Sequence, residues 1–371
     1  MRRLFTLLFA IALYSSANAI SDGFYRLQCK ETGRYLAIHN SYVNKESAQG
    51  TSNVDLQSLE TIEGFDNIVN DPGSIIYLKN SPNGWLIEGQ GFTTEGRNFY
   101  IQITEDGDSY RLWTRVTSNG VTMTFYLRDY EEEPGYSYIT TDANKSTNWH
   151  WYITPVSSEE YLGLKGDVQV GNSYYTTFYA AFPIELGSGM KAYAVDGLTG
   201  STCTLRDIGN VVPKLTPVVI SCAGEEASDN KVTPLTSSSA TVNSNELKGV
   251  MFCYPVLLES GKERRTNPAW NAVDYTPATM RLLGESDGKL CFITSDETIY
   301  LPANRAYLPV VSGSAETIPT NGTTGISSIS RDSSNSSSSR GTYTLNGTRL
   351  PDNITPQKGI YIQDGKKVII K

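Results

Sequence analysis

Residues 109–129 read SYRLWTRVTSNGVTMTFYLRD, and this stretch decides the fold. Apolar and polar residues alternate with period two on both sides of Asn119-Gly120, a dipeptide that tolerates the positive φ values of a tight two-residue turn. Two antiparallel strands joined by a hairpin are predicted. Toward the N-terminus, GFYRLQCKETGRYLAI (residues 23–38) and SIIYLKNSPNGWLIEGQ (residues 74–90) follow the same pattern of strand, polar turn and second strand, with Asn83-Gly84 as a further turn signal. Downstream, NWHWYITPV (residues 148–156) supplies an aromatic strand suited to seal a barrel. Three hairpin-bearing repeats within about 135 residues predict a β-trefoil over residues 20–157, with an irregular barrel as the alternative.

The remaining chain carries the same all-β texture. From residue 158 to 311 the runs lengthen and are punctuated by Pro, as in YYTTFYAAFPIEL, MKAYAVDG, VVPKLTPVVISC and MRLLGESDGKLCFITS. Period-two alternation bounded by Gly or Pro predicts an antiparallel β-sandwich. Residues 312–340 include ISSISRDSSNSSSSR, too poor in apolar side chains to offset the entropy of ordering, and are expected to form a flexible linker. Residues 341–371 then alternate short strands with Asn346-Gly347 and Asp364-Gly365 turns, predicting a small C-terminal β-meander.

The N-terminus and the charge bound the function. MRRLFTLLFAIALYSSANA (residues 1–19) joins two arginines, an apolar run from Leu4 to Tyr14 and a closing Ala17-Asn18-Ala19, the pattern of a secretory signal. The apolar run is too short for a bilayer core of about 30 Å, and no later stretch approaches the roughly 20 apolar residues of a membrane helix. The chain is therefore expected to be secreted or held at the cell surface, without a membrane span. A net charge of -8 argues against a nucleic-acid partner, which needs a basic face to release counterions.

Three resemblances follow from these motifs. Tyr25-Arg26-Leu27, Gly33-Arg34-Tyr35-Leu36 and the terminal Trp151-x-Ile153 resemble the ricin-B-type lectins and related trefoils. The Gln-x-Trp of those lectins has no counterpart, since the last repeat reads Trp149-His150-Trp151, so the resemblance implies the fold and leaves the sugar site open. The aromatic strand Tyr175 to Tyr179, Lys191 to Tyr193, Val212 to Val218, Leu247 to Gly249 and Leu301 to Leu308 resemble an accessory β domain of large exported Bacteroidota proteins. That resemblance implies a structural or adhesive role. Asn346-Gly347, Lys358-Gly359-Ile360-Tyr361-Ile362 and Gly365-Lys366-Lys367-Val368 are similar to the C-terminal sorting domain of the type IX secretion system. It implies contact with the secretion machinery through Lys358, Gly359, Ile360, Tyr361, Gly365, Lys366 and Lys367.

Reaction chemistry leaves little trace. The two histidines, His39 and His150, fall outside any His-Glu-x-x-His pattern, and no nucleophile elbow, P-loop or Rossmann glycine motif occurs. Acidic residues cluster at Glu131-Glu132-Glu133 and at Asp106 and Asp108, which read as solvated turns rather than as a hydrolase pair or a complete calcium loop. No cofactor and no metal site are expected. Among the five cysteines, Cys203 with Cys222 and Cys253 with Cys291 are candidate disulfides, beside a reading in which all are buried thiols. Aromatic residues carry the stronger signal, because sugar rings stack their C–H faces on flat side chains while neighbouring polar groups fix the hydroxyls. Trp85 beside its turn, and Tyr130, Tyr136 and Tyr138 around the acidic loop, are the candidate ligand contacts, while Trp113 and Trp151 are assigned to the core. The expected function is non-catalytic binding of glycan, or of host or matrix protein. A hydrolase or protease-associated protein with an unrecognised site, and a purely structural surface component, are the alternatives.

Overall fold

A computed structural model describes residues 20–38, 59–90, 92–93, 100–130, 136–140, 147–199, 201–251, 273–298, 300–321, 342–344, 359–363 and 366–370. The fold is all-β; among these residues the helical elements are α1 (Phe65–Ile68) and one 3₁₀ turn, Pro72–Ser74. The chain falls into two compact units, Met1–Thr323 and Thr324–Lys371.

The first module of the larger unit begins with β1 (Gly23–Cys29), β2 (Arg34–Ile38), β3 (Leu59–Glu63), β4 (Ile76–Ser81), β5 (Gly84–Gly89) and β6 (Phe92–Thr93). It continues through β7 (Gln102–Asp106), β8 (Ser109–Ser118), β9 (Val121–Tyr130), β10 (Tyr136–Thr140) and β11 (His150–Pro155). These strands form one curled 11-stranded sheet. The three expected hairpins are β1–β2, β4–β5 and β8–β9. In the last, Asn119 and Gly120 have φ values of 52° and 76°, the two positive angles of a type I′ turn, so Ser118 pairs with Val121. The β4–β5 turn differs from expectation by one residue. Ser81 pairs with Gly84, which makes Pro82-Asn83 the corner and puts Gly84 in the strand. Its φ of 133° and the Ile101 carbonyl, 2.9 Å from where a Cβ would stand, require glycine there.

The aromatic strand β11 joins β1, from Tyr25↔Pro155 to Cys29↔Trp151, and β8, at Trp151↔Tyr110. Trp151 is fully buried among Leu27, Leu36, Leu78, Leu112 and Leu127, and its indole N–H donates to the Leu127 carbonyl at 3.1 Å.

The second module contains β12 (Leu162–Gly163), β13 (Val168–Val170), β14 (Ser173–Phe178), β15 (Ile184–Leu186), β16 (Lys191–Thr199), β17 (Thr202–Gly209) and β18 (Val211–Val212). It is completed by β19 (Val218–Cys222), β20 (Lys231–Pro234), β21 (Lys248–Val250), β22 (Met280–Ser286), β23 (Lys289–Ile293), β24 (Arg305–Pro309) and β25 (Thr317–Asn321). A 4-stranded sheet, β12-β20-β15-β18, packs against a 10-stranded sheet that folds over itself. Strand β19 explains why the sequence VVISC is nearly continuous in apolar residues: Val218, Ile220 and Cys222 enter one core and Val219 the other.

Two expectations change here. The pairing of β25 with β17 is parallel, in an otherwise antiparallel sandwich. Strand β25 also lies within residues 312–340, the stretch expected to be linker; it contributes one large buried residue, Ile318, too few for a recognisable alternation.

Residues 20–157 and 158–311 are not separated by a free joint. Ile75 of the first module is buried in a core of the second, and Phe24 meets Phe182 with ring centroids 5.6 Å apart. The Gly163 amide donates to the Val69 carbonyl at 2.9 Å, and buried Arg26 donates to the carbonyls of Ile68 at 3.2 Å and Tyr161 at 2.7 Å. The smaller unit is the expected meander of β26 (Thr342–Thr344), β27 (Gly359–Gln363) and β28 (Lys366–Ile370), antiparallel throughout.

Candidate functional site

The outer face of β7, β8 and β9 concentrates aromatic and cationic side chains. Alternation along β8 is the cause: Leu112 and Thr114 are buried, so Arg111, Trp113 and Arg115 project from the opposite face. Pairing then aligns Gln102 of β7, Trp113 of β8 and Tyr126 of β9 in one row across three strands. Direct cross-strand neighbours have Cβ atoms about 4.5–5.5 Å apart, so these side chains share one surface. Trp149 extends the row, its ring centroid 4.8 Å from that of Tyr126.

Two cations lie on these rings. The Arg111 guanidinium is 5.6 Å from the Trp149 centroid, and that of Arg115 is 5.1 Å from Trp113. Polar groups hold the row in place. The Trp113 indole N–H donates to Thr104 Oγ1 at 3.0 Å, and Gln102 Nε2 donates to the Asn83 carbonyl at 2.9 Å, which leaves Gln102 Oε1 as an acceptor. Asn83, Tyr100, Gln102, Trp113, Thr114 and Arg115 border a shallow groove of about 300 Å³. That volume is at the small end for a small-molecule site, and an aromatic wall with oriented amides and a guanidinium suits a polyhydroxylated ligand.

At one end of this face His150 is held between carboxylates. Its Nδ1 contacts Glu31 Oε1 and its Nε2 lies 3.1 Å from Asp106 Oδ2, while Asp106 also pairs with Arg111 at 3.0 Å and Asp108 pairs with Lys30. Both imidazole nitrogens are thus engaged, and the cluster ties the closing strand β11 to the β1–β2 and β7–β8 turns. Among the described residues no group of three or more His, Cys, Asp or Glu side chains is arranged to hold a metal ion.

The residues singled out from sequence are dispersed. Trp85 is partly buried, packs against the core of the first module, and exchanges backbone hydrogen bonds of 2.7 and 2.8 Å with Ile101. Trp113, assigned to the core, instead lines the groove; only Trp151 of that pair is core. Tyr136 pairs with Tyr130 and Tyr138 with Arg128 along the β9–β10 ladder, and the side chains of the three tyrosines lie outside the described residues.

The candidate disulfides are not formed. Cys203, Cys222 and Cys291 are buried free thiols, with Cys203 and Cys222 in different cores, and Cys253 lies outside the described residues, as does His39. Burial pushes the Cys203 and Cys222 thiols up to about 12 and that of Cys29 up to about 11, which keeps all three protonated and poorly nucleophilic. Of the residues assigned to the secretion machinery, Gly359, Ile360 and Tyr361 lie on β27 and Lys366 and Lys367 on β28, whereas Lys358 and Gly365 are outside the described residues.

Sequence reasoning missed Tyr100, Gln102, Arg115, Tyr126 and Trp149. The available signal was the Arg111-x-Trp113-x-Arg115 spacing, which puts two cations on the same strand face as the tryptophan and so marks that face as the outer one.

Two further clefts follow the junction of the modules. One, of about 350 Å³, is polar, but its Arg305 is paired with Asp167 at 2.9 Å and its Asp71 accepts from the Gly73 amide at 2.7 Å. The other, of about 390 Å³, is lined mainly by Phe24, Tyr77, Phe182, Leu215 and Leu235.

Fold and surface together define an all-β protein built from a curled sheet, a sandwich and a meander, with an aromatic outer face on the first sheet. No protein-family model matches the chain, and no curated protein matches it significantly. Among the described residues no helix is long and apolar enough to cross a membrane.

Proposed function

We propose that the chain is an exported, non-catalytic binding protein whose first module takes saccharide on the outer face of β7, β8 and β9. The observation that carries this reading is the row Gln102–Trp113–Tyr126, extended by Trp149, on the outside of a sheet whose core is already filled by Trp151 and its neighbours. These rings lie outside the core cluster and keep part of their surface accessible, and flat rings beside oriented amides are what the C–H faces and hydroxyls of a sugar require. The secretory pattern of residues 1–19 supports a destination outside the cytoplasm, in solution or on the cell surface. The second module then acts as an accessory domain, and the C-terminal meander as the sorting element that the Lys358 to Val368 motif resembles.

The test is a glycan-array screen of the full chain with Trp113→Ala beside it. Loss of one central ring is expected to weaken binding about 30-fold, the effect of a contact worth about 2 kcal/mol. A folded chain that binds no glycan would remove the saccharide reading.

A further inference from the structure

Arg115 is unlike every other described arginine. Arg34 is paired with Asp129, Arg111 with Asp106, Arg206 with Asp196 and Arg305 with Asp167. Arg26 donates to the carbonyls of Ile68 and Tyr161, Arg128 to that of Thr147, and Arg281 to those of Ala315 and Ser314. Among the described residues, Arg115 contacts neither a carboxylate nor a carbonyl; its partner is the ring of Trp113. The Arg115 side chain is exposed, in a chain of net charge -8. The groove it borders contains no Asp or Glu among its lining residues.

A guanidinium placed over an indole ring keeps N–H groups around its edge available to a further partner. Those edges match the two oxygens of a carboxylate or sulfate in a bidentate pair, among the stronger hydrogen-bonding arrangements in proteins. We infer that the groove takes an acidic saccharide, with the carboxylate or sulfate of the sugar paired to Arg115 and the sugar ring against the aromatic row. This rests on the saccharide-binding reading of the same face and adds the charge of the ligand to it. Because the chain as a whole repels anions, the recognition is local to Arg115, and it weakens as added salt screens the exposed pair.

The experiment measures binding of the full chain to matched acidic and neutral polymers: oligogalacturonate against its methyl ester, and dextran sulfate against dextran. At low salt one acidic form or both bind about 10-fold or more tightly than the neutral partner, as expected for a charge-assisted pair, and the responding pair identifies carboxylate or sulfate as the recognised group. Arg115→Gln brings acidic and neutral forms level, whereas Lys191→Gln, an equal charge change on the second module, leaves the preference in place. Equal binding of acidic and neutral forms by the wild type, with both lost in Trp113→Ala, would overturn the acidic-ligand inference and keep the saccharide reading. Absence of binding to all four polymers and to every glycan on the array would overturn both.

Discussion

Asp129 has no exposed surface, yet it gathers the donors of two separated segments. Arg34 donates to both of its oxygens at 2.7 Å through Nε and Nη2, Thr61 donates at 2.7 Å and Thr32 at 2.5 Å. A buried carboxylate is tolerable only when its charge and its lone pairs are satisfied, and here they are. Removing it leaves the Arg34 guanidinium, itself mostly buried, without a counter-charge. Asp129→Ala is therefore expected to destabilise the larger unit by about 3–5 kcal/mol, the range for breaking one side of a buried pair. Urea unfolding followed by tryptophan fluorescence measures it, and a loss under about 1 kcal/mol, typical of an exposed pair, would contradict the reading. None of this was legible in the sequence, because Arg34 and Asp129 are 95 positions apart and neither lies in a motif.

The β8–β9 hairpin was the most legible element, and it shows where legibility stops. Alternation and Asn119-Gly120 together fix two strands and their register, because a one-residue slip would move every side chain to the wrong face. Gly120→Ala puts a Cβ on a residue with φ of 76° in otherwise open space, so its cost is conformational. A loss of about 1 kcal/mol in unfolding free energy is expected, near the lower bound for an L-residue in the left-handed region. A neutral substitution in thermal or urea melts would mean that the turn is not of type I′. Alternation alone does not say which face is inside, since Trp113 is apolar enough for a core and large enough for a binding surface. The neighbours decided it, with Leu112 filling the core and the arginines on either side of Trp113 requiring water. The rest of the site came from pairing that sequence does not display: Gln102 and Tyr126 reach Trp113 only through the β7–β8–β9 register.

Across the larger unit, the change of texture near residue 158 marked a second module, but the packing that joins the two was hidden. Ile75 has no exposed surface and lies in a core formed chiefly by the second module, and buried Arg26 lies 3.8 Å from Glu160. Burial depresses the Arg26 guanidinium to about 10, so it remains the cation that bridges the junction at neutral pH. Both modules should then unfold in one calorimetric transition, and Ile75→Ala should lower its free energy by about 2–5 kcal/mol, the usual cost of truncating a buried Ile. Two resolved transitions, of which Ile75→Ala shifts only one, would show that the modules are independent.

The most direct measurement is the affinity of the full chain for its best array glycan, compared among wild type, Trp113→Ala and Trp85→Ala. Trp113 borders the groove whereas Trp85 packs on the core, so binding should fall about 30-fold in Trp113→Ala and hold in Trp85→Ala once the variant is shown to be folded. Binding that survives Trp113→Ala unchanged and is lost in folded Trp85→Ala would contradict the assignment of the outer β7–β8–β9 face as the saccharide site.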